Sequence, residues 1–387
     1  MSFELAHRVK NLPPYLFEKL DQAKSKALAR GVDVIDLGIG DPQDPTPSHI
    51  VEALYEASKK SLNHRYPTYV GLLSLRTAIA DFYRKKGIVL DPQREVLALI
   101  GSKEGIAHIP FAFVNPGDVV LVPDPGYPVF SSSTLFAGGE IYKMPLLEEN
   151  RYLPDLSIIP QAIAQRCKMM FLNYPNNPTA AVAPFEFYEH VIQFAKKYNI
   201  IVCHDAAYAD VYFEKRPFSF LEIEGAKEVG IEFGSLSKTY NMTGWRIGWA
   251  VGNADIIFGL SKIKTNTDSG VFQAVQEAAI CALNSDQKCV DDIRKVYQTK
   301  RDVAVLALKK AGFSVSSQEA TFYLWFRIPK MFNSSESFAS YVLEKTGVVI
   351  TPGNGFGEAG EGYVRISLTA PLARIEEAMR RLSSLCL

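Results

Sequence analysis

Cysteine is scarce in this chain, and nothing in its placement suggests pairing. Cys167, Cys203, Cys281, Cys289 and Cys386 are the five present, with no CxxC spacing among them. Two of them sit in apolar, strand-like runs. Reduced core thiols, and hence the cytoplasm, are the expectation. Histidine is also sparse, six in 387 residues. No His-x-x-x-His or Cys/His cluster offers zinc a ligand set, so no metal is expected. Apolar runs are all too short to cross a bilayer, and Met1 to Lys10 is mixed polar without an apolar h-region. Net charge is absent as well, with 42 Lys and Arg against 42 Asp and Glu. That balance gives no reason to expect nucleic acid or an anionic membrane as a partner. The nucleotide P-loop spacing GxxxxGK[ST] is missing, and no internal repeat or low-complexity tract interrupts the chain.

What is present is ordinary globular composition, 47% hydrophobic and 22% charged, with enough chain for a large core and a second, smaller domain. From Ser48 onward, helical patterns alternate with short apolar runs at Val96–Ile100, Val119–Val122, Ile141–Met144, Met169–Leu172, Ile200–Cys203, Gly230–Phe233 and Ile247–Val251. Such alternation predicts an α/β fold: a mostly parallel seven-stranded sheet with helices on both faces. Residues 48–286 form this large domain. Residues 15–47 and 287–387 form a small α+β domain, and residues 1–14 an arm. In the small domain, strands are expected at Phe313–Val315, Phe322–Ile328, Val348–Ile350 and Tyr363–Leu368. Ligands of such sheets sit at the loops beyond strand carboxyl ends, and the distinctive residues of this chain fall there.

The most informative is Lys238, in Ser235-Leu236-Ser237-Lys238 after the apolar run from Val229 to Gly234. A buried lysine is costly unless paired or chemically used. Burial disfavours its ammonium, so the amine becomes nucleophilic near neutral pH and forms a Schiff base with an aldehyde. Ser235, Ser237 and Arg246 beside it are donors suited to a phosphate dianion. Lysine plus phosphate donors points to pyridoxal 5′-phosphate; an ordinary surface lysine in a polar turn is the plain alternative.

Other loops supply further candidates. Gly38-Ile39-Gly40-Asp41-Pro42 lets backbone approach a ligand. Gly101-Ser102-Lys103-Glu104-Gly105 opens a helix, and Ser102 with the Lys103 backbone suits an anion, although a plain serine cap is the commoner use. Tyr127, braced by prolines, can stack on a flat ring. Asn177, ahead of a proline, can aim its amide at a phenolic oxygen. Asp205, at a buried strand end, needs a cation, and a protonated pyridine nitrogen is one. Tyr208, on the first helical turn after it, reaches the same ring. His204 faces the opposite side as a core residue. Arg365, alone on a half-buried strand, wants a carboxylate: a substrate's, or an internal Asp or Glu.

Taken in order, Gly-Asp-Pro, Gly-Ser-Lys-Glu, Asn-Asn-Pro-Thr, Asp-x-x-Tyr, Ser-Leu-Ser-Lys, Arg and a late Arg resemble the class I aminotransferases of fold-type I, from about residue 30 to 370. The resemblance implies Lys238 as the Schiff-base lysine, Asp205 on the pyridinium nitrogen, and Asn177 and Tyr208 on the phenolic oxygen. Ser102, Lys103, Ser235, Ser237 and Arg246 would surround the phosphate and Tyr127 the ring. Arg365, assisted by the Gly40 backbone, would fork the substrate α-carboxylate. Tyr66 looks like the tyrosine that reaches the partner subunit's phosphate, which implies a homodimer with shared sites. The family usually has glycine where Ala180 stands, and alanine tolerates positive φ poorly.

A narrower likeness, in Gly101–His108, Tyr66–Gly71 and Ser237–Gly244, is to the LL-diaminopimelate aminotransferases. It implies exchange of an amino group between LL-diaminopimelate and 2-oxoglutarate, in the route to lysine and cell-wall precursors. Tyr15, in Pro14-Tyr15-Leu16-Phe17, is similar to that family's substrate-covering segment. Lys103 and the Lys264–Ser269 loop, with Asn266 or Asp268 from the partner, would read the distal end. Relatives with this pattern also act on alanine, aspartate or aromatic amino acids, and a lyase on the same scaffold is a further alternative.

Overall fold

The computed structural model describes residues 3–10, 12, 16–315 and 318–385, with the segment 16–21 in its backbone only. Twelve strands are present among them: β1 (Ile35–Asp36), β2 (Val96–Leu99), β3 (Val119–Asp124), β4 (Glu140–Pro145), β5 (Cys167–Asn173), β6 (Ile201–Asp205), β7 (Gly230–Ser235), β8 (Gly248–Gly252), β9 (Tyr323–Arg327), β10 (Val348–Val349), β11 (Thr351–Pro352) and β12 (Tyr363–Ser367). Seven of them form one sheet in the order β2-β8-β7-β6-β5-β3-β4. Pairing is parallel except at β8, which runs antiparallel to both β2 and β7. The expected mostly parallel, seven-stranded α/β architecture is therefore what the chain builds.

The strands read as apolar runs because the sheet is covered twice. Alternate residues divide between two cores, as the two-residue strand period requires. Leu97, Leu99, Val120, Val122, Met169, Phe171, Ile231 and Phe233 pack with Ile106, Ile109, Ile257 and Leu260 from the helices Ser102–Phe113 and Ala254–Thr265. Val96, Ala98, Val119, Leu121, Met170, Leu172 and Val202 face the other way, onto the helices Leu73–Arg84, Phe185–Tyr198 and Gln273–Asn284. His204 follows the second set: it is buried, with Nδ1 3.0 Å from Glu232 Oε2 and Nε2 3.0 Å from the Tyr188 hydroxyl.

A third core joins β9, β12 and the helices Lys288–Lys310, Ser335–Thr346 and Leu372–Ser383 through Phe322, Leu324, Phe326, Val342, Val364, Ile366 and Ile375. β1 pairs with β10 in parallel, and β12 lies between β11 and β9. One expected strand is absent. Phe313 and Val315 are buried but the segment is irregular, because Phe313 N bonds back to Leu308 O to close the preceding helix and its ring packs on Phe326 and Phe338. Apolar residues here serve packing without a ladder.

Candidate active site

The carboxyl ends of β5, β6 and β7 lie side by side. Asn173 is in register with Asp205, and Asp205 with Phe233. Above them opens a cavity of about 230 Å³. Its wall contains Gly40, Ser102, Lys103, Tyr127, Asn177, Asp205, Tyr208, Ser235, Ser237, Lys238, Arg246 and Arg365. Residues spread over more than 300 positions of the chain thus meet at one place. Tyr66, expected at a partner's phosphate rather than in this cavity, is 88% exposed and outside it, and Tyr15 lies outside the described residues. Of the distal candidates, Asp268 is committed within its own chain, both oxygens lying 2.9 Å from the buried Lys264 Nζ. Asn266 Nδ2 donates to the Lys262 carbonyl at 2.8 Å.

Lys238 belongs to a single helical turn, Leu236–Thr239, that follows β7 directly. The turn is capped by Ser235, whose hydroxyl accepts from Ser237 N. Lys238 Nζ donates to Gly40 O at 2.8 Å. Burial pushes its ammonium down to about 8, with Arg246 and Arg365 adding to the effect and Asp41 opposing it.

Asp205 is 5% exposed, and its side-chain carboxylate accepts one hydrogen bond among the described residues, from Ala207 N at 3.2 Å. Burial raises its carboxyl to about 6. No ion pair satisfies it among the described residues, so the cation expected of such a carboxylate is left to a ligand. Tyr208 lies in the turn 207–210 rather than on a helix. β6 ends in a turn because Ala206 N bonds to Phe233 O of the neighbouring strand, while Ala209 N to Ala206 O and Val211 N to Tyr208 O close three-residue turns rather than a helix.

Arg365 is 1% exposed. Nη1 donates to Asn177 Oδ1 at 2.7 Å and Nη2 to Gly38 O at 2.6 Å. Nε has no partner among the described residues. The guanidinium lies over the rings of Tyr323 (4.2 Å) and Phe356 (4.7 Å). No Asp or Glu among the described residues pairs with it, which removes the internal ion pair as an explanation. Burial lowers its pKa, so a carboxylate entering the cavity meets a desolvated charge.

Elsewhere in the cavity wall, the start of a helix and the Arg246 guanidinium come together. Gly101 (φ 74°) precedes the helix, so Ser102 is its first residue rather than its cap. A Cβ on Gly101 would lie 2.2 Å from Arg246 Nη2, and one on Gly248 would lie 2.7 Å from Ser102 N. Both glycines therefore allow the helix start, β8 and the guanidinium to converge. Arg246 is itself left-handed (φ 55°), with Nη1 donating to Thr243 O. Lys103 Nζ stands 5.9 Å from the Tyr127 ring centre.

Ile39, Asn173, Ala207, Thr243, Tyr323 and Phe356 also line the cavity and escaped the sequence reading. Tyr323 and Phe356 carry no local signal distinguishing them from neighbouring core aromatics. Asn173 Nδ2 holds the Asp205 carbonyl at 2.8 Å, and its Oδ1 accepts from Asn177 N at 2.8 Å. Its position at the end of a buried strand was the available clue.

A family model described as aminotransferase class I and II matches residues 32–382. A protein of Nitratidesulfovibrio vulgaris (strain DSM 19637 / Miyazaki F) named LL-diaminopimelate aminotransferase is 56% identical, over 99% of this chain and 99% of its own. Another of that name, from Desulforudis audaxviator (strain MP104C), is 56% identical over 99% of this chain and 98% of its own. A solved structure described as substrate-bound BacF from Bacillus subtilis has a TM-score of 0.95 at 41% identity, covering 99% of this chain and 98% of that one. By sequence across nearly its whole length and by fold, the chain belongs to the class I and II aminotransferases.

Proposed function

We propose that the protein is a pyridoxal-phosphate-dependent aminotransferase that exchanges an amino group between LL-diaminopimelate and 2-oxoglutarate. The observation that carries the cofactor and substrate class is one cavity holding three unmatched groups: an amine, a carboxylate without a cation and a guanidinium without an anion. Pyridoxal phosphate and an amino acid together satisfy all three. The donor set fits the cofactor: Lys238 for its aldehyde carbon, Asp205 for its ring nitrogen, Asn177 and Tyr208 for its phenolic oxygen, and Tyr127 for its ring face. Ser102, Lys103, Ser235, Ser237 and Arg246 suit its phosphate. When bound, the cofactor supplies an electron sink conjugated to the substrate's α-carbon.

The chain's own residues do the rest. Arg365, with Gly40 beside it, holds the substrate α-carboxylate and so orients the Cα–H bond. Lys238 Nζ, poised near pH 8, removes the α-proton. Asp205 keeps the ring nitrogen protonated; burial disfavours its own charge, and the cation restores it. Asn177 serves two groups, since its Oδ1 is held by Arg365 and its amide nitrogen remains to donate.

Diaminopimelate as donor rests on the two relatives of that name at 56% identity. Lys103 at the cavity edge and Tyr15 are the distal readers in this proposal. Tyr66, exposed and away from its own cavity, is assigned to the partner's phosphate in a homodimer. Residues 48–286 act as the large domain and 15–47 with 287–387 as the small one, in the cytoplasm. Among the described residues no helix is long and apolar enough to cross a membrane, and no cluster is suited to a metal.

The test is a donor panel with 2-oxoglutarate, following glutamate. LL-diaminopimelate is expected to give the highest kcat/KM. A higher value for alanine, aspartate or an aromatic amino acid overturns the substrate, and elimination without stoichiometric glutamate overturns the reaction.

A further inference from the structure

Tyr208 and Tyr323 share one hydrogen bond, Oη to Oη at 2.9 Å, with both side chains buried. Their rings meet edge to face at 5.5 Å. Among the described residues neither hydroxyl has another hydrogen-bond partner. Gly40 makes this approach possible, because a Cβ there would lie 1.9 Å from Tyr323 Oη.

Each phenol carries one hydrogen, so direction is a counting problem. If Tyr208 donates to Tyr323, it has none to offer the cavity. If Tyr323 donates, the Tyr208 hydrogen is free to point inward. A ligand oxygen that accepts from Tyr208 therefore forces Tyr323 to be the donor, and two aligned hydroxyls polarise one another in a low-dielectric site.

We infer that Tyr323 is a positioning residue. It donates to Tyr208, fixes that hydroxyl as a donor toward the phenolic oxygen of the cofactor, and strengthens the resulting bond. This rests on the assignment of pyridoxal phosphate and Tyr208 above. The relay draws negative charge off the phenolic oxygen. That weakens the oxygen's hold on the proton of the neighbouring lysine nitrogen and lowers the pH at which the proton leaves. No residue other than Tyr323 has its hydroxyl within hydrogen-bond reach of Tyr208 among the described residues.

The readout is the pH midpoint of the visible absorption band in the loaded enzyme, for wild type, Tyr323→Phe, Tyr208→Phe and the double variant. Tyr323→Phe deletes one oxygen and keeps the ring beneath Arg365. Its midpoint is expected to rise by roughly half a pH unit, the scale of one modest hydrogen bond. Tyr208→Phe is expected to rise further, and the double variant to match Tyr208→Phe alone. An unchanged midpoint in Tyr323→Phe overturns the relay. So does an equal rise from Tyr323→Phe in the Tyr208→Phe background, or loss of the band in Tyr323→Phe with an unchanged circular dichroism spectrum, since either makes Tyr323 act directly. A wild type that takes up no pyridoxal phosphate, or a Tyr208→Phe variant with the wild-type midpoint, takes down the cofactor assignment and the relay together.

Discussion

Arg365 and Asn177, 188 positions apart, are joined by a 2.7 Å bond from Nη1 to Oδ1. The group assigned to the substrate's carboxylate and the group assigned to the cofactor's phenolic oxygen therefore hold each other in place. Arg365→Gln is expected to raise KM for both amino acid and 2-oxo acid about 100-fold, the scale of a lost bidentate charged contact. Cofactor affinity should change by less than about threefold, since Asn177 keeps its backbone anchor to Asn173. Substrate titrations in steady state, with cofactor affinity by fluorescence quenching, check both halves.

Asp205 separates stability from activity. Its folded pKa of about 6 lies above the ordinary 3.8, so the cofactor-free fold favours the protonated form. The associated stability is present below pH 4 and is lost as pH rises through 6. Asp205→Asn is thus expected to stabilise the cofactor-free protein at pH 7–8 by up to about 3 kcal/mol, a gain that fades as pH falls toward 4. In the loaded enzyme it should lower kcat at least about 1,000-fold, because the ring nitrogen loses its proton-holding partner. Urea midpoints across pH and single-turnover rates test this; a variant with wild-type turnover contradicts the carboxylate's role.

Lys238 sets a pH dependence of its own. Its amine titrates near 8 instead of 10.5, and the neutral form is the one that attacks an aldehyde. Cofactor uptake by the cofactor-free protein is expected to accelerate with pH up to about 8 and then level off. Stopped-flow absorbance from pH 6 to 10 measures it. A rate still climbing steeply at pH 10 speaks for an ordinary, solvated lysine. Lys238→Ala should bind the cofactor reversibly and not turn over.

Ala180 sits at φ 61°, a left-handed conformation that an L side chain adopts at a cost of about 1–2 kcal/mol. Its N–H bonds to Asn176 O at 2.9 Å, closing the turn that presents Asn177. Ala180→Gly relieves the strain against a smaller entropic loss. Thermal unfolding should show a gain of roughly 0.5–1 kcal/mol with kcat/KM unchanged; a loss of stability there contradicts the backbone account.

Lys264, fully buried, is held by Glu104 at 3.0 Å and Asp268 at 2.9 Å. Glu104 also accepts from Ile100 N at 2.8 Å, just ahead of the helix that begins at Ser102. Lys264→Met removes the buried cation from between two partly buried carboxylates and is expected to cost about 1–3 kcal/mol in chemical denaturation. Adding Glu104→Gln and Asp268→Asn should restore much of that. A Lys264→Met variant as stable as wild type dismisses the network as structural support.

The large sheet was legible because strands buried on both faces stand out as short apolar runs between helices, and each was placed to within two residues. Phe313–Val315 misled because core burial and strand pairing produce the same apolar signal. Tyr208 kept its place in the site but not its helix, since a turn and a first helical turn begin with the same bonds. Most of the cavity's charged and hydroxyl groups, among them Ser102, Asp205 and Lys238, were legible because they follow strand ends. Tyr323 was not, because it enters from the other core, where an aromatic at alternating spacing reads as packing, and Phe356 was not, because it ends a glycine-rich turn and packs with Trp325 and Tyr363. Only the fold shows that no Asp or Glu among the described residues pairs with Arg365.

The reversed direction of β8 has a consequence for how this chain tolerates change. The connection from Ser235 to Gly248 leaves and re-enters the sheet at the same end of two neighbouring strands, so the amine and Arg246 ride on one short connection fixed at both ends. Inserting or deleting a residue within it would displace nucleophile and phosphate clamp in one stroke. The stretch from Ser235 to Gly248 therefore behaves as a single mechanical part.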